Sequence, residues 1–350
     1  VKQGAYTPPD DIFFVDSHIA LYGGFEGSES SLAERDLVAH PTVLDGLGSS
    51  SSLMRVGSAS DLVEGAVSGV RVDGFVFRGS RFFALNSNGE LEVTRCRFED
   101  NERTAILSAG GGLRVSQSSF VSNGAHGILA QANGVRPPGI DIAQCVFAGN
   151  ADSGAFFGAR VANLEIDVRN STFVANGGLG GLVLEYDEDP NTLAVTNTIL
   201  WGNEGGATVQ SSQLALVPVG GAGSTLELTL EHDCVEGWDG SLGGAGNFGG
   251  DPRFLVVPGA DGIAGTADDD LRLAPFSPCV DAGKNSAIAL DGADLDDDGD
   301  RLEPLPVDLA GFARVQDVVW LPGQPAEAPP VVDVGAFETP RLRQRPVDPR

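Results

Sequence analysis

The chain has 350 residues, 48 of them glycine and one methionine, and its 22 Lys and Arg against 49 Asp and Glu leave a formal charge of −27. That charge excludes nucleic acid and anionic membrane surfaces as partners, because their phosphates would repel it, and suits an exported protein that meets divalent cations. No apolar run reaches transmembrane length, and four cysteines without a CxxC pair exclude a thiolate zinc site or a thioredoxin-like couple.

In chain order, residues 1–60 read as an N-terminal cap with a first coil. A capping-box pattern, Ser31-Leu-Ala-Glu34, predicts one short helix there, and Arg35 has Glu29 and Asp36 as structural partners. Residues 61–250 carry a repeat. Five segments align: LEVTRCRFEDN (91–101), LRVSQSSFVSN (113–123), IDIAQCVFAGN (140–150), IDVRNSTFVAN (166–176) and LAVTNTILWGN (193–203). Their anchors Phe98, Phe120, Phe147, Phe173 and Leu200 are spaced by 22, 27, 26 and 27 residues, and a looser coil places Phe77 21 residues before Phe98. This period suits one turn of a three-strand coil. Apolar residues flanking one polar residue share a strand face, so Leu91 and Val93 point in and Glu92 points out. A third strand opens on or near glycine in HGILA (126–130), GAFFGA (154–159) and GGLVLEY (180–186), and LELTLEHDCV (226–235) continues the stack. The predicted fold is all-β, a right-handed parallel β-helix closed by a loop-rich C-terminal region. The competing architecture, a β-sandwich, needs antiparallel hairpins and gives no reason for one motif to recur in register.

The repeated residues have structural readings. Asn101, Asn123, Asn150, Asn176 and Asn203 form an internal ladder that satisfies turn backbone, and the phenylalanines form a core stack. Cys96 and Cys145 fill the inward slot of Ser118, Ser171 and Thr198 two coils apart, too far for a disulfide, and are expected to be inert buried thiols. Cys234 and Cys279 flank the change from solenoid to C-terminal region and are candidates for a bridge.

Chemistry concentrates in residues 251–338. In DLDDDGD (294–300), Asp294, Asp296 and Asp298 before Gly299 reproduce the start of an EF-hand-type calcium loop. Leu305 stands at the twelfth position, where such a loop has glutamate; Glu303 or Asp300 is the substitute. A second Gly-rich loop, PGADGIAGTADDDLRL (258–273), offers Asp261, Asp268, Asp269 and Asp270 to another calcium ion. On the solenoid face, Glu92, Arg114, Asp141 and Glu165 are expected on successive coils, with Asp141 and Glu165 one strand spacing apart. That pair with Arg114 is the candidate catalytic set, and Trp201 and Tyr186 are expected near the same flank for sugar stacking; the alternative is a charge-balanced solvent face.

On these residues the chain resembles bacterial right-handed β-helix proteins of the choice-of-anchor Q type. IALYGGFEGSESSLAERD (19–36) with TVLDG (42–46) is similar to that family's opening coil. DPRF (251–254), LRLAPFSPCVDAG (271–283), PVDLAGFARV (306–315) and VVDVGAFE (331–338) resemble its closing region. The 258–273 loop also looks like a calcium loop common in secreted bacterial proteins. The resemblance covers about residues 1–338. It implies the fold and an extracellular or cell-surface place, and no reaction; the pectate-lyase-like label attached to such chains is fold analogy. Residues 339–350 read as a linker or tail toward an anchor, and Val1, not an initiator methionine, implies a longer precursor. The function expected is a secreted, non-catalytic module for surface display, adhesion or carbohydrate contact with structural Ca2+, its partner an extracellular polysaccharide or a cell-surface component. The alternative is a polysaccharide lyase or glycoside hydrolase acting through Asp141 and Glu165.

Overall fold

Two sharp bends turn each Phe-centred segment into a corner. Strand Leu91–Thr94 ends at Arg95 in the left-handed region (φ 51), and strand Arg97–Glu99 ends at Asp100 (φ 52). The same pair of bends recurs at Gln117 and Ser122, Gln144 and Gly149, Asn170 and Ala175, and Asn197 and Gly202. Left-handed backbone costs most side chains roughly 1–2 kcal/mol, so something must hold these corners. The asparagine that follows each second bend does so.

The computed structural model describes residues 1–8, 12–16, 18–47, 52–57, 69–109, 111–132, 139–159, 164–187, 191–219, 225–292, 294–296, 298–316 and 331–340; most of the tail expected at 339–350 lies outside these. The chain visits three parallel sheets in turn. The first has nine strands, from Gly4–Tyr6 to Cys234–Val235. The second and third have eight each, from Phe13–Val15 to Leu214–Pro218 and from Ala20–Tyr22 to Leu226–Glu231. The protein is a right-handed parallel β-helix. Stacking begins at residue 4, so the segment read as a cap already contains coils: Tyr6 pairs with Leu44 and Leu44 with Phe77, holding the column position before the repeat becomes recognisable.

Phe77, Phe98, Phe120, Phe147 and Phe173 stack face to face at successive centroid separations of 4.7, 4.9, 4.7 and 4.4 Å, each fully buried. Leu200 continues the register. Beside them, each Asn Nδ2 donates to the next Asn Oδ1 at 2.8 Å along Asn101, Asn123, Asn150, Asn176 and Asn203. Each Nδ2 also reaches a phenylalanine carbonyl, as Asn150 does to Phe120 O at 3.1 Å. The ladder starts at the Ser80 amide and ends at Gln213 on the short helix Val209–Gln213, whose Oε1 accepts from Asn203 at 2.7 Å. A parallel row occupies the cysteine slot: Ser118 Oγ accepts from Cys96 N, Ser171 Oγ from Cys145 N, and Thr198 N donates to the buried Asp233. Burial pushes both the Cys96 and Cys145 thiols up to about 12, as expected of inert core cysteines.

Three local expectations are corrected. The helix at Leu32–Glu34 is a single 3₁₀ turn without a side-chain cap from Ser31; Glu34 instead accepts from the Ser30 amide and hydroxyl. Glu29 and Asp36 are engaged by their own turns' amides, so Arg35 pairs with Asp73, 3.3 Å away on a neighbouring coil. Most consequentially, the C-terminal region doubles back along the outside of the solenoid. Val146, Ala148 and Val174 face outward beside the inward phenylalanines and are covered by Leu271 and Ala336; Ala143 is covered by Ile288, Leu305 and Val332. Polar ties pin this strap. Gln117 Nε2 donates to Val307 O (2.9 Å), Ala336 N to Thr172 Oγ1 (3.0 Å), and Asn197 exchanges two bonds with the Lys284 backbone (3.0 and 2.7 Å). At Gly149 (φ 59) a Cβ would stand 2.3 Å from Gly265 O, so a side chain there would lift the strap.

The closing motifs are the strap's polar lock. Asp308 accepts from the amides of Ala310, Phe312 and Glu338, and Asp333 from those of Asp281 and Thr339. The buried Arg314 donates to Asp333 O and Gly335 O and stands 3.6 Å from Glu338. Cys234 and Cys279 meet in the same buried cluster as free thiols, and their contact, with burial, raises the Cys234 thiol.

Candidate metal centre

The Asp294 loop is closed by a small antiparallel neck. Leu290 bridges Pro304, Asp291 N donates to Glu303 O at 2.7 Å, and Leu305 N to Ala289 O at 2.8 Å. Ile288, Ala289 and Leu305 bury the neck against the solenoid, and Leu295 packs beside them. The neck places Asp291 and Glu303 opposite each other at the base of the aspartate run.

Carboxylate oxygens converge there in two overlapping groups, Asp291, Asp296 and Glu303, and Asp294, Asp296 and Asp298, each with its oxygens within 4.8 Å of one another. Asp291 is fully buried. Its Oδ2 accepts from Leu295 N at 2.7 Å, but its Oδ1 has no partner, and the buried Oε1 of Glu303 has none either. Buried oxygens without donors are costly, and more so among like charges. Desolvation first, and then the charges of Asp296 and Asp294, raise the Asp291 carboxyl; desolvation and the charges of Asp298 and Asp296 do the same for Glu303. An all-oxygen cluster of this kind can hold a hard cation, which would satisfy the orphaned oxygens and relieve the repulsion.

The sequence pattern therefore located the loop and part of its carboxylate cluster. Asp294, Asp296 and Asp298 come together as the alternation predicts, and Glu303 joins them. Asp300 does not: its Oδ1 accepts from Leu302 N at 2.9 Å. Asp291 lay outside the pattern; the only hint was an aspartate three residues before Asp294, and its role depends on the 290–304 bridge.

In the 258–273 loop the carboxylates are already committed. Asp268 accepts from Asp261 N (3.0 Å) and Asp261 from Ile263 N (2.8 Å), while Thr266 Oγ1, with its single proton, lies within reach of both Asp268 (2.6 Å) and Asp261 (3.0 Å). Asp269 holds the amides of Gly259 and Gly265, and Asp270 grips Arg272 at 2.8 and 2.5 Å. Thus Asp261, Asp268 and Asp270 fold the loop upon itself and do not converge as the Asp291–Glu303 group does.

The proposed catalytic ladder is out of register. Arg114 pairs with Asp141 across the sheet, and Asp141 with Asp167, because Ile140 aligns with Ile166; Glu165 falls two positions away, beside Thr192. Asp141 is held by Arg169 at 2.6 Å, while the exposed Arg114 forms no ion pair among the described residues. Trp201 lies on the first sheet, Tyr186 on the second and Asp141 on the third, so the aromatics and carboxylate share no face. Among the described residues, no helix is long and apolar enough to cross a membrane. No protein-family model, curated protein or solved structure matches the chain.

Proposed function

We propose that this is a non-catalytic module of a bacterial extracellular or cell-surface protein of the choice-of-anchor Q type, whose strap is fastened by a structural calcium ion and whose solenoid serves display, adhesion or carbohydrate contact. The carrying observation is the convergence of Asp291, Asp296 and Glu303 with two buried oxygens that lack partners. Calcium is the cation of choice because a flexible loop rich in carboxylates and main-chain carbonyls suits its six to eight oxygen ligands, whereas magnesium needs stricter octahedral geometry. The resemblance of the opening and closing segments supports the surface setting. The lyase or hydrolase alternative draws no support from Asp141, which Arg169 occupies, or from Glu165, which is out of register.

Thermal unfolding in calcium and in chelator tests the reading. A ligand at a hundred times its dissociation constant stabilises the folded state by about 2.7 kcal/mol, enough to move the melting temperature by several degrees. Asp291→Asn and Glu303→Gln should abolish the increment. An identical midpoint with and without calcium would remove the basis of the proposal.

A further inference from the structure

Beside the Asp294 loop, three arginines share one carboxylate. Asp73 is fully buried, its oxygens 2.7 and 3.1 Å from Arg95 Nη2 and Nε, 3.0 Å from Arg71 Nη2 and 3.3 Å from Arg35 Nη1. The Arg35 and Arg71 guanidiniums lie over the Tyr22 ring at 5.0 and 5.5 Å. Three guanidiniums thus converge on one buried carboxylate in a partly desolvated place. Burial, and against the pull of Asp73 the like charges of Arg95 and Arg71, lower the Arg35 pKa.

Donors remain after these bonds are made. Arg35 spends Nε on Leu32 O and Nη1 on Gly23 O and Asp73, leaving Nη2 without a partner. Arg95 grips Asp73 with Nε and Nη2, leaving Nη1. Arg301 makes no hydrogen bond or ion pair among the described residues. All three side chains line one cavity of about 280 Å³, together with Tyr22 and Leu295. The acid on its wall, Asp294, accepts from Gly299 N through Oδ1 at 3.1 Å and, among the described residues, makes no ion pair with these arginines.

We propose that this cavity binds a small oxyanion-bearing ligand, a sugar acid or a phosphate ester, through Arg35, Arg95 and Arg301. Guanidinium forks match the planar carboxylate and the phosphate oxygens. The cavity's size admits a single ring and excludes a folded polyanion. The net charge of −27 works against anion capture elsewhere on the surface, which makes a local cationic pocket selective. Its wall includes Asp294, Leu295 and Arg301 of the loop proposed to bind calcium, but the oxyanion contacts assigned here are the arginines' own.

Titration calorimetry of the full chain in chelator-containing buffer tests it, with galacturonate, inorganic phosphate and neutral galactose as probes. One or both anions should bind with unit stoichiometry and galactose should not; galacturonate alone identifies a sugar acid, phosphate alone a phosphate ester. Arg301→Gln, an exposed position, should weaken binding roughly tenfold with an unchanged melting temperature. Arg95→Lys should weaken it similarly, since lysine keeps the charge and loses the fork. Failure of both anions to bind at about 10 mM, or undiminished affinity in Arg301→Gln, overturns the proposal.

Discussion

Replacing Asn150 with alanine isolates what the internal amide ladder contributes. The side chain donates to Asn176 Oδ1 (2.8 Å) and Phe120 O (3.1 Å) and accepts from Asn123 Nδ2 (2.8 Å) and Asn123 N (3.3 Å), all buried. Not every partner is stranded. Asn123 Nδ2 keeps Phe98 O at 3.2 Å, and Asn176 Oδ1 keeps Asn150 N at 3.1 Å. The Asn123 main-chain N–H loses its side-chain acceptor at a buried corner. Three net hydrogen bonds at about 1 kcal/mol each and one orphaned buried donor at about 1–3 give an expected loss of about 4–6 kcal/mol. Urea unfolding followed by circular dichroism reads this as a lower midpoint at unchanged slope. A loss below about 1 kcal/mol would mean that the ladder is already replaceable by solvent and does not hold the left-handed corners.

Other consequences are equally direct. Burial raises the Glu338 carboxyl from 4.5 to about 9, so the folded chain keeps a proton that the unfolded chain releases above 4.5. Stability should therefore fall as pH rises between these values, and Glu338→Gln should flatten that slope in melting curves; an equal slope in both proteins would show that Glu338 is not its source. Asp268→Asn removes bonds that shape its own loop and should leave the calcium-dependent melting increment intact, whereas Glu303→Gln should erase it; the same pair of melting curves compares them. All four buried thiols should react with thiol reagents only after unfolding, and an added oxidant should join Cys234 to Cys279, read as the loss of two hydrogens in the intact mass, only once the closing region opens.

The solenoid was legible because its physics is periodic. An apolar-x-apolar strand, a bend and a Phe-x-x-Asn corner repeat as a unit, so Phe98, Phe120 and Phe147 had one self-consistent arrangement. The first coils were harder, since Tyr6 and Leu44 take the column position without the asparagine corner. Alternation also revealed Asp294, Asp296 and Asp298, whose spacing is local. Asp291 was hidden because its place depends on a bridge between Leu290 and Pro304, a pairing without periodic signature. Glu165 illustrates the converse: the motif alignment itself put Asp167 opposite Asp141, and carboxylate identity drew attention to the wrong strand position. The route of the C-terminal region was illegible for a related reason. Val146, Ala148 and Val174 are apolar on the outward side, and only a partner more than a hundred residues later accounts for them.

A stack whose units touch only their neighbours can ordinarily peel open from either tip, one rung after another. The returning strap forbids that economy here. Because Gln117 is tied to Val307 and Asn197 to Lys284, rungs far apart along the axis are bound to one late-synthesised segment. Loosening the last rung must also strip that segment from its middle, so pulling on the molecule should meet a single high barrier where a row of small ones is usual. The same wiring means that a nascent rod leaving its biosynthetic machinery remains unlatched until the returning segment has followed the last rung out.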